Sequence, residues 1–101
     1  MEIKTYGLTD IEVANAVEMF AKEEWDKYGY SLMATESIYE DGKTLAEFIA
    51  EMGGVGDDDV KDYVEFAESF DLDEWVVYAM YEDTDGKNEF CGFIAFKDWN
   101  G

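Results

Sequence analysis

Histidine, arginine and proline are absent from this chain, cysteine occurs once, and the only basic side chains are seven lysines. Each absence removes a class of chemistry. Without histidine there is no side chain that ordinarily titrates near neutrality, and the commonest metal ligand is missing. Without arginine there is no planar fork to clamp a phosphate. Seven lysines against 26 carboxylates exclude direct binding of DNA, RNA or an anionic lipid surface, because phosphate charge repels such a protein. A lone cysteine cannot close an internal disulfide, which fits a reducing cytoplasm. No Pro-rich segment, linker or internal repeat divides the chain, and no apolar run approaches the roughly 18 residues of a membrane span. The opening Met1-Glu2-Ile3-Lys4 lacks the basic and apolar regions of a secretory signal. The expected location is therefore the cytoplasm.

What is present is an unusual pairing. The formal charge is −19 over 101 residues, yet 48% of the residues are hydrophobic and 17% aromatic. Acidic chains stay disordered when they lack apolar groups to offset the entropy of folding. This chain has those groups, so the expectation is a single folded domain, residues 1–101, with a dense negative field on its surface. Self-repulsion within that field costs stability. A small soluble domain needs a net charge of only about 2–8, so solubility alone is a weaker explanation than a use for the charge, and the abundance of large aromatics stands against a halophile's acidity.

The chain divides into recognisable segments. Ile3 and Thr5 mark a short first strand ending near Gly7. Thr9-Asp10-Ile11-Glu12 is a capping box, with Thr9 at the cap and Glu12 three residues on. Val13, Ala14, Val17, Phe20, Ala21, Trp25 and Tyr28 follow at helical spacing, which predicts a helix over 10–28 stopped by Gly29. Tyr30, Leu32 and Ala34 alternate with Ser31, Met33 and Thr35 in a weak strand pattern, and Asp41-Gly42 marks a turn. A second capping box, Thr44 to Glu47, opens a helix with Leu45, Phe48, Ile49 and Met52 on one face and Gly53-Gly54 at its end. Asp57-Asp58-Asp59 begins another, whose stripe is Val60, Tyr63, Val64 and Ala67 with Phe66 and Phe70 flanking. Trp75 to Tyr81 and Phe90 to Phe96 are rich in aromatic and β-branched residues on either side of Asp85-Gly86, which predicts a β-hairpin. The order (β)αβααββ implies the α+β class: three helices on one face of a small antiparallel sheet that ends in the hairpin.

Catalytic chemistry has little support. Cys91 sits mid-strand among apolar neighbours and reads as a core or sheet residue. Ser31, Ser37 and Ser69 have no base nearby in sequence. Carboxylate pairs such as Glu23/Glu24 and Asp73/Glu74 arise by chance in so acidic a chain. Asp83-Thr84-Asp85-Gly86 matches the middle of an EF-hand loop, but the pattern then puts Tyr81 at its first ligand position and Gly92 at its twelfth, where Asp and Glu are required. The match fails. Asp57-Asp58-Asp59 offers at most an adventitious divalent-cation site, so no cofactor and no metal are expected.

The acidic array carries the functional signal. Carboxylates one helical turn apart lie about 6 Å apart along the axis, and duplex DNA presents one negative charge per about 1.7 Å. Two acidic helices side by side would display phosphate-like charge. The densest source is Asp57, Asp58, Asp59, Asp62, Glu65, Glu68, Asp71, Asp73 and Glu74. Glu12, Glu18, Glu23, Glu24 and Asp26 on the first helix form the second. A partner for such a surface is basic: either a DNA-binding groove, or a basic nuclease toxin neutralised by an immunity protein or antitoxin with aromatic anchors such as Trp25, Trp75 and Trp99.

Residues 44–80 add a resemblance. Leu45-Ala46-Glu47-Phe48-Ile49-Ala50-Glu51-Met52-Gly53-Gly54-Val55-Gly56, then Val60, Tyr63, Phe66 and Phe70-Asp71-Leu72-Asp73 before the apolar hairpin, resemble the C-terminal part of ArdA-type antirestriction proteins. In that family an aromatic-containing helix ends in a Gly-x-x-Gly-like turn. A second helix with a Tyr and further aromatics, an Asp-Leu and a final hairpin follow. The resemblance implies a DNA mimic encoded by a mobile element such as a phage, which occupies the DNA groove of type I restriction-modification enzymes, commonly as an elongated homodimer. A single short module of this kind also suits another nucleic-acid-gripping target, such as a CRISPR effector.

Overall fold

The structure is a computed structural model that describes residues 2–97. Five strands form one antiparallel sheet: β1 (Glu2–Tyr6), β2 (Asp26–Lys27), β3 (Tyr30–Ala34), β4 (Trp75–Thr84) and β5 (Lys87–Lys97). Four helices surround it: α1 (Asp10–Lys22), α2 (Thr35–Glu40), α3 (Leu45–Met52) and α4 (Asp57–Glu68). The strand order is β1-β5-β4-β3-β2, so the long C-terminal hairpin lies at the centre and the short strands form the edges. This is the α+β class with a terminal hairpin. The expected three helices are joined by a fourth, α2, in the segment whose pattern was weakest.

The central hairpin explains the layering. Trp75–Met80 and Phe90–Phe96 are nearly continuous apolar runs, and strands of that composition are covered on both faces. Val77, Ala79, Phe93 and Ala95 point to one side, where Ile38 of α2, Leu45, Phe48 and Ile49 of α3 and Ala67 of α4 meet them. Met80, Ile94 and Phe96 point to the other, against Leu32 and against Ala16 and Met19 of α1. The expectation of helices on one face is therefore corrected: α1 covers one face alone, and α2, α3 and α4 cover the opposite one. Phe93 and Phe96 are wholly buried on the two sides. Truncating either to Ala costs about 3–5 kcal/mol.

An irregularity in the hairpin adjusts this packing. Met80 pairs with Gly92 but Tyr81 pairs with Phe90, so Cys91 is an extra residue bulged out of register. The bulge turns Phe90 to the same side as Phe93, with ring centroids 5.1 Å apart. It also brings β5 against the end of α3, where Phe90 N donates to Gly53 O at 3.0 Å. Gly54 has a φ of +93°, and a Cβ there would stand 2.9 Å from Phe90 O. The Gly53-Gly54 pair thus ends α3 and admits the strand.

The predicted 10–28 helix is shorter than its spacing implies. Glu23 takes a left-handed conformation (φ 55°) and its N–H closes on Met19 and Phe20 carbonyls, ending α1 one turn or more before Gly29. Tyr28 and Gly29 both have positive φ, which makes them the central residues of a two-residue hairpin turn between β2 and β3. Trp25 and Tyr28 continue the apolar spacing only by coincidence. Ala14 and Ala21, placed on the apolar stripe by that spacing, are exposed, and Ala16 and Met19 are buried instead. No described helix is long and apolar enough to cross a membrane.

Candidate acidic interaction surface

Residues 35–74 build the α2–α3–α4 layer and its exit turn. This stretch holds fourteen Asp and Glu against Lys43 and Lys61, a balance of −12 out of the chain's −19. All fourteen carboxylate residues are exposed. Asp57, Asp58 and Asp59 form the first turn of α4, where negative charge complements the helix dipole. Gly56 at the cap leaves that turn without a side-chain cap, so the three aspartates supply the compensating charge themselves. Asp62, Glu65 and Glu68 continue along the exposed side of α4. Asp71, Asp73 and Glu74 follow in the turn that leads to β4.

The arrangement runs against the stability rule at the other end of each helix. Cations are favourable in a last helical turn, yet α2, α3 and α4 have none there. On the opposite face of the sheet α1 does carry one, Lys22. The concentration of unbalanced charge is thus a property of one layer. Only Glu51, bonded to Lys43 at 2.6 Å, and Glu65, 3.8 Å from Lys61, have ionic partners there among the described residues. Exposed pairs of this sort contribute between nothing and about 1 kcal/mol.

Two of the carboxylates also have local structural work. Asp71 Oδ1 accepts from Asp73 N at 3.0 Å and Asp71 O accepts from Trp75 N at 2.8 Å, which shapes the entry to β4. Glu47 accepts from Thr44 N, and Thr44 Oγ1 accepts from Glu47 N at 3.1 Å. Those bonds to Thr44, backbone first, hold the Glu47 carboxyl below its ordinary range.

The second expected source does not join the first. Two acidic helices side by side would require α1 next to α4, and the sheet separates them. Glu18 is on α1, but it bonds to Lys22 Nζ at 2.9 Å and accepts from Tyr28 Oη at 2.7 Å. The Lys22 bond, then the Tyr28 bond, lower its pKa. Glu24 pairs with Lys27 at 2.8 Å. Glu23 is the left-handed cap residue, Asp26 belongs to β2, and Glu12 serves the first capping box by accepting from Thr9 N at 2.9 Å. These five carboxylates are dispersed and partly neutralised.

The exposed carboxylates that sequence reasoning passed over lie on α2 and α3. Glu40 and Asp41 end the α2 segment and Glu47 and Glu51 stand on α3, all exposed, whereas Glu36 at the start of α2 faces Tyr78. Glu47 and Glu51 could have been found as the polar positions of a recognised amphipathic helix. The α2 residues had no such signal, because that helix is six residues long.

Two other features bear on chemistry. Glu12, Glu82 and Cys91 bring potential metal-ligand atoms within 4.8 Å of one another. Burial first, and then the Glu12 charge, push the Cys91 thiol up to about 12. Of the candidate aromatic anchors, Trp25 is 42% exposed and stacks on Tyr78, with ring centroids 5.3 Å apart. Trp75 is half-buried against Phe70 at 4.8 Å, with Lys4 and Lys97 over its ring. Trp99 lies outside the described residues. Comparison with protein-family models, curated proteins and solved structures finds no match for this chain.

Proposed function

We propose that this protein is a non-enzymatic inhibitor that mimics nucleic acid. In this reading the α2–α4 layer presents its carboxylates to the basic DNA-binding groove of a restriction-modification enzyme, type I in the first instance, or of a CRISPR effector. The observation that carries it is the balance of −12 on residues 35–74, the segment that carries α2, α3 and α4, with fourteen exposed carboxylates against two lysines. Lysines and arginines of the target form charge-assisted hydrogen bonds with those carboxylates, and the field speeds encounter. Both effects weaken with salt.

A competition assay tests it. Labelled target DNA is bound to each of a panel of purified type I restriction enzymes and Cas effectors, and the protein is titrated in at two salt concentrations. Displacement of DNA, together with direct binding of the protein to that target that weakens with salt, supports the reading and names the target class. Absence of displacement from every member contradicts it and favours a basic toxin as the partner, with the exposed Trp25 among its contacts.

A further inference from the structure

Between α3 and α4 the acidic layer is not continuous charge. Ala46, Val60 and Val64 form the apolar floor of an open groove that encloses about 500 Å³. Asp57, Glu65 and Glu68 stand along its walls. Ala46 is exposed, and Val60 and Val64 are only half-buried although they reach the core beneath. Lys61 also lines the groove, 3.8 Å from Glu65 and with 81% of its side chain exposed, so it does not close the opening.

We infer that this groove is an anchor site for a basic partner segment in which an apolar side chain is flanked by Lys or Arg. Charge complementarity selects the occupant: the three wall carboxylates pair with the flanking cations while the floor takes the apolar group. A bare polycation satisfies the walls and leaves the floor wet. A neutral apolar segment fills the floor and leaves the walls unpaired. Proteins that grip DNA carry the required combination, since they use apolar side chains against thymine methyls and base steps among their phosphate-binding cations. The inference rests on the proposed function and deepens it. Charge gives the encounter, and the groove gives an apolar contact that salt does not screen.

Two synthetic peptides of equal positive charge serve as probes, one with leucines among its lysines and one with glutamines in their place. Binding is measured by calorimetry at low and high salt, and its location by amide NMR shifts. At low salt both peptides bind. At high salt the leucine peptide retains about a tenfold advantage, and the largest shifts fall at Ala46, Val60 and Val64. Ala46→Phe, which fills the groove from an exposed position without changing charge, removes that advantage and leaves the low-salt binding of the glutamine peptide intact. Equal affinities at both salts, or leucine-dependent shifts centred elsewhere, overturn the groove while leaving the acidic surface standing. Failure of both peptides to bind at low salt overturns the acidic surface and the groove with it. Should Ala46→Phe not fold, the shift map on the natural chain decides.

Discussion

Cys91 is the side chain whose surroundings alter its chemistry most. The bulge in β5 places it where burial and the Glu12 charge push the thiol up to about 12. Its nucleophile is the thiolate, so at pH 8 alkylation of the folded protein should be much slower than in denaturant. The sign for stability follows. An acid whose folded pKa is raised keeps its proton in the folded state while the unfolded chain ionises, so stability falls as pH climbs from about 9 toward 12. Burial raises Tyr63 and Tyr78 in the same direction. Thermal midpoints should therefore decline above about pH 9, and Cys91→Ala should lessen the decline. A flat profile, or alkylation as fast as in denaturant, contradicts this placement of Cys91. The caps are the other residue-scale feature. Thr44→Ala removes the acceptor for Glu47 N and should cost about 1 kcal/mol. That corresponds to a fall of about 4–8 °C in thermal midpoint for a domain of this size. An unchanged midpoint would mean that the second capping box does not hold α3 in place.

At the scale of elements, what could be read from the sequence was what local chemistry decides. Both capping boxes occur where four adjacent residues specify them, and the hairpin turns at Asp85-Gly86, with Thr84 paired to Lys87. The apolar stripe of α3 is buried as its spacing implies, with Leu45, Phe48 and Ile49 inside. What could not be read was decided by distant contacts. Trp25 extends the α1 pattern in sequence, but its stacking on Tyr78 and the bond from Leu32 N to Trp25 O place it on the way into β2. The six residues of α2 are too few for a helical period to show, and Ile38 anchors them in the apolar core beside the buried Thr35. The layering was nevertheless written into β4 and β5. Uninterrupted apolar runs demand cover on both faces, and α1 is the helix available for the second. That same separation removed the expected alignment of α1 with α4. The α4 half of the site was legible because consecutive acids at a helix start and along one side need no tertiary information. The α2 and α3 contributions were not, since they depend on which helices share a layer.

For the whole molecule the governing quantity is −19 on a body whose longest dimension is 36 Å. Duplex DNA of that length, about one helical turn, carries about 21 phosphate charges. The protein matches that magnitude but concentrates most of it on one layer. Self-repulsion on that layer is screened by salt. Raising sodium chloride from low to high concentration should therefore increase the thermal midpoint by on the order of 5 °C. A midpoint that falls or stays fixed would mean that the carboxylates are already compensated. The claim that this layer imitates phosphate is tested most directly by comparing the natural chain with Asp58→Asn/Asp62→Asn/Glu65→Gln in the DNA-displacement assay across a series of salt concentrations. All three side chains are exposed on α4, so the variant should stay folded, with a midpoint no lower than that of the natural chain because self-repulsion on the layer falls. The account predicts weaker displacement by the variant and a shallower salt dependence of its direct binding to the target. A variant that displaces DNA as well as the natural chain, with the same salt slope, would contradict it.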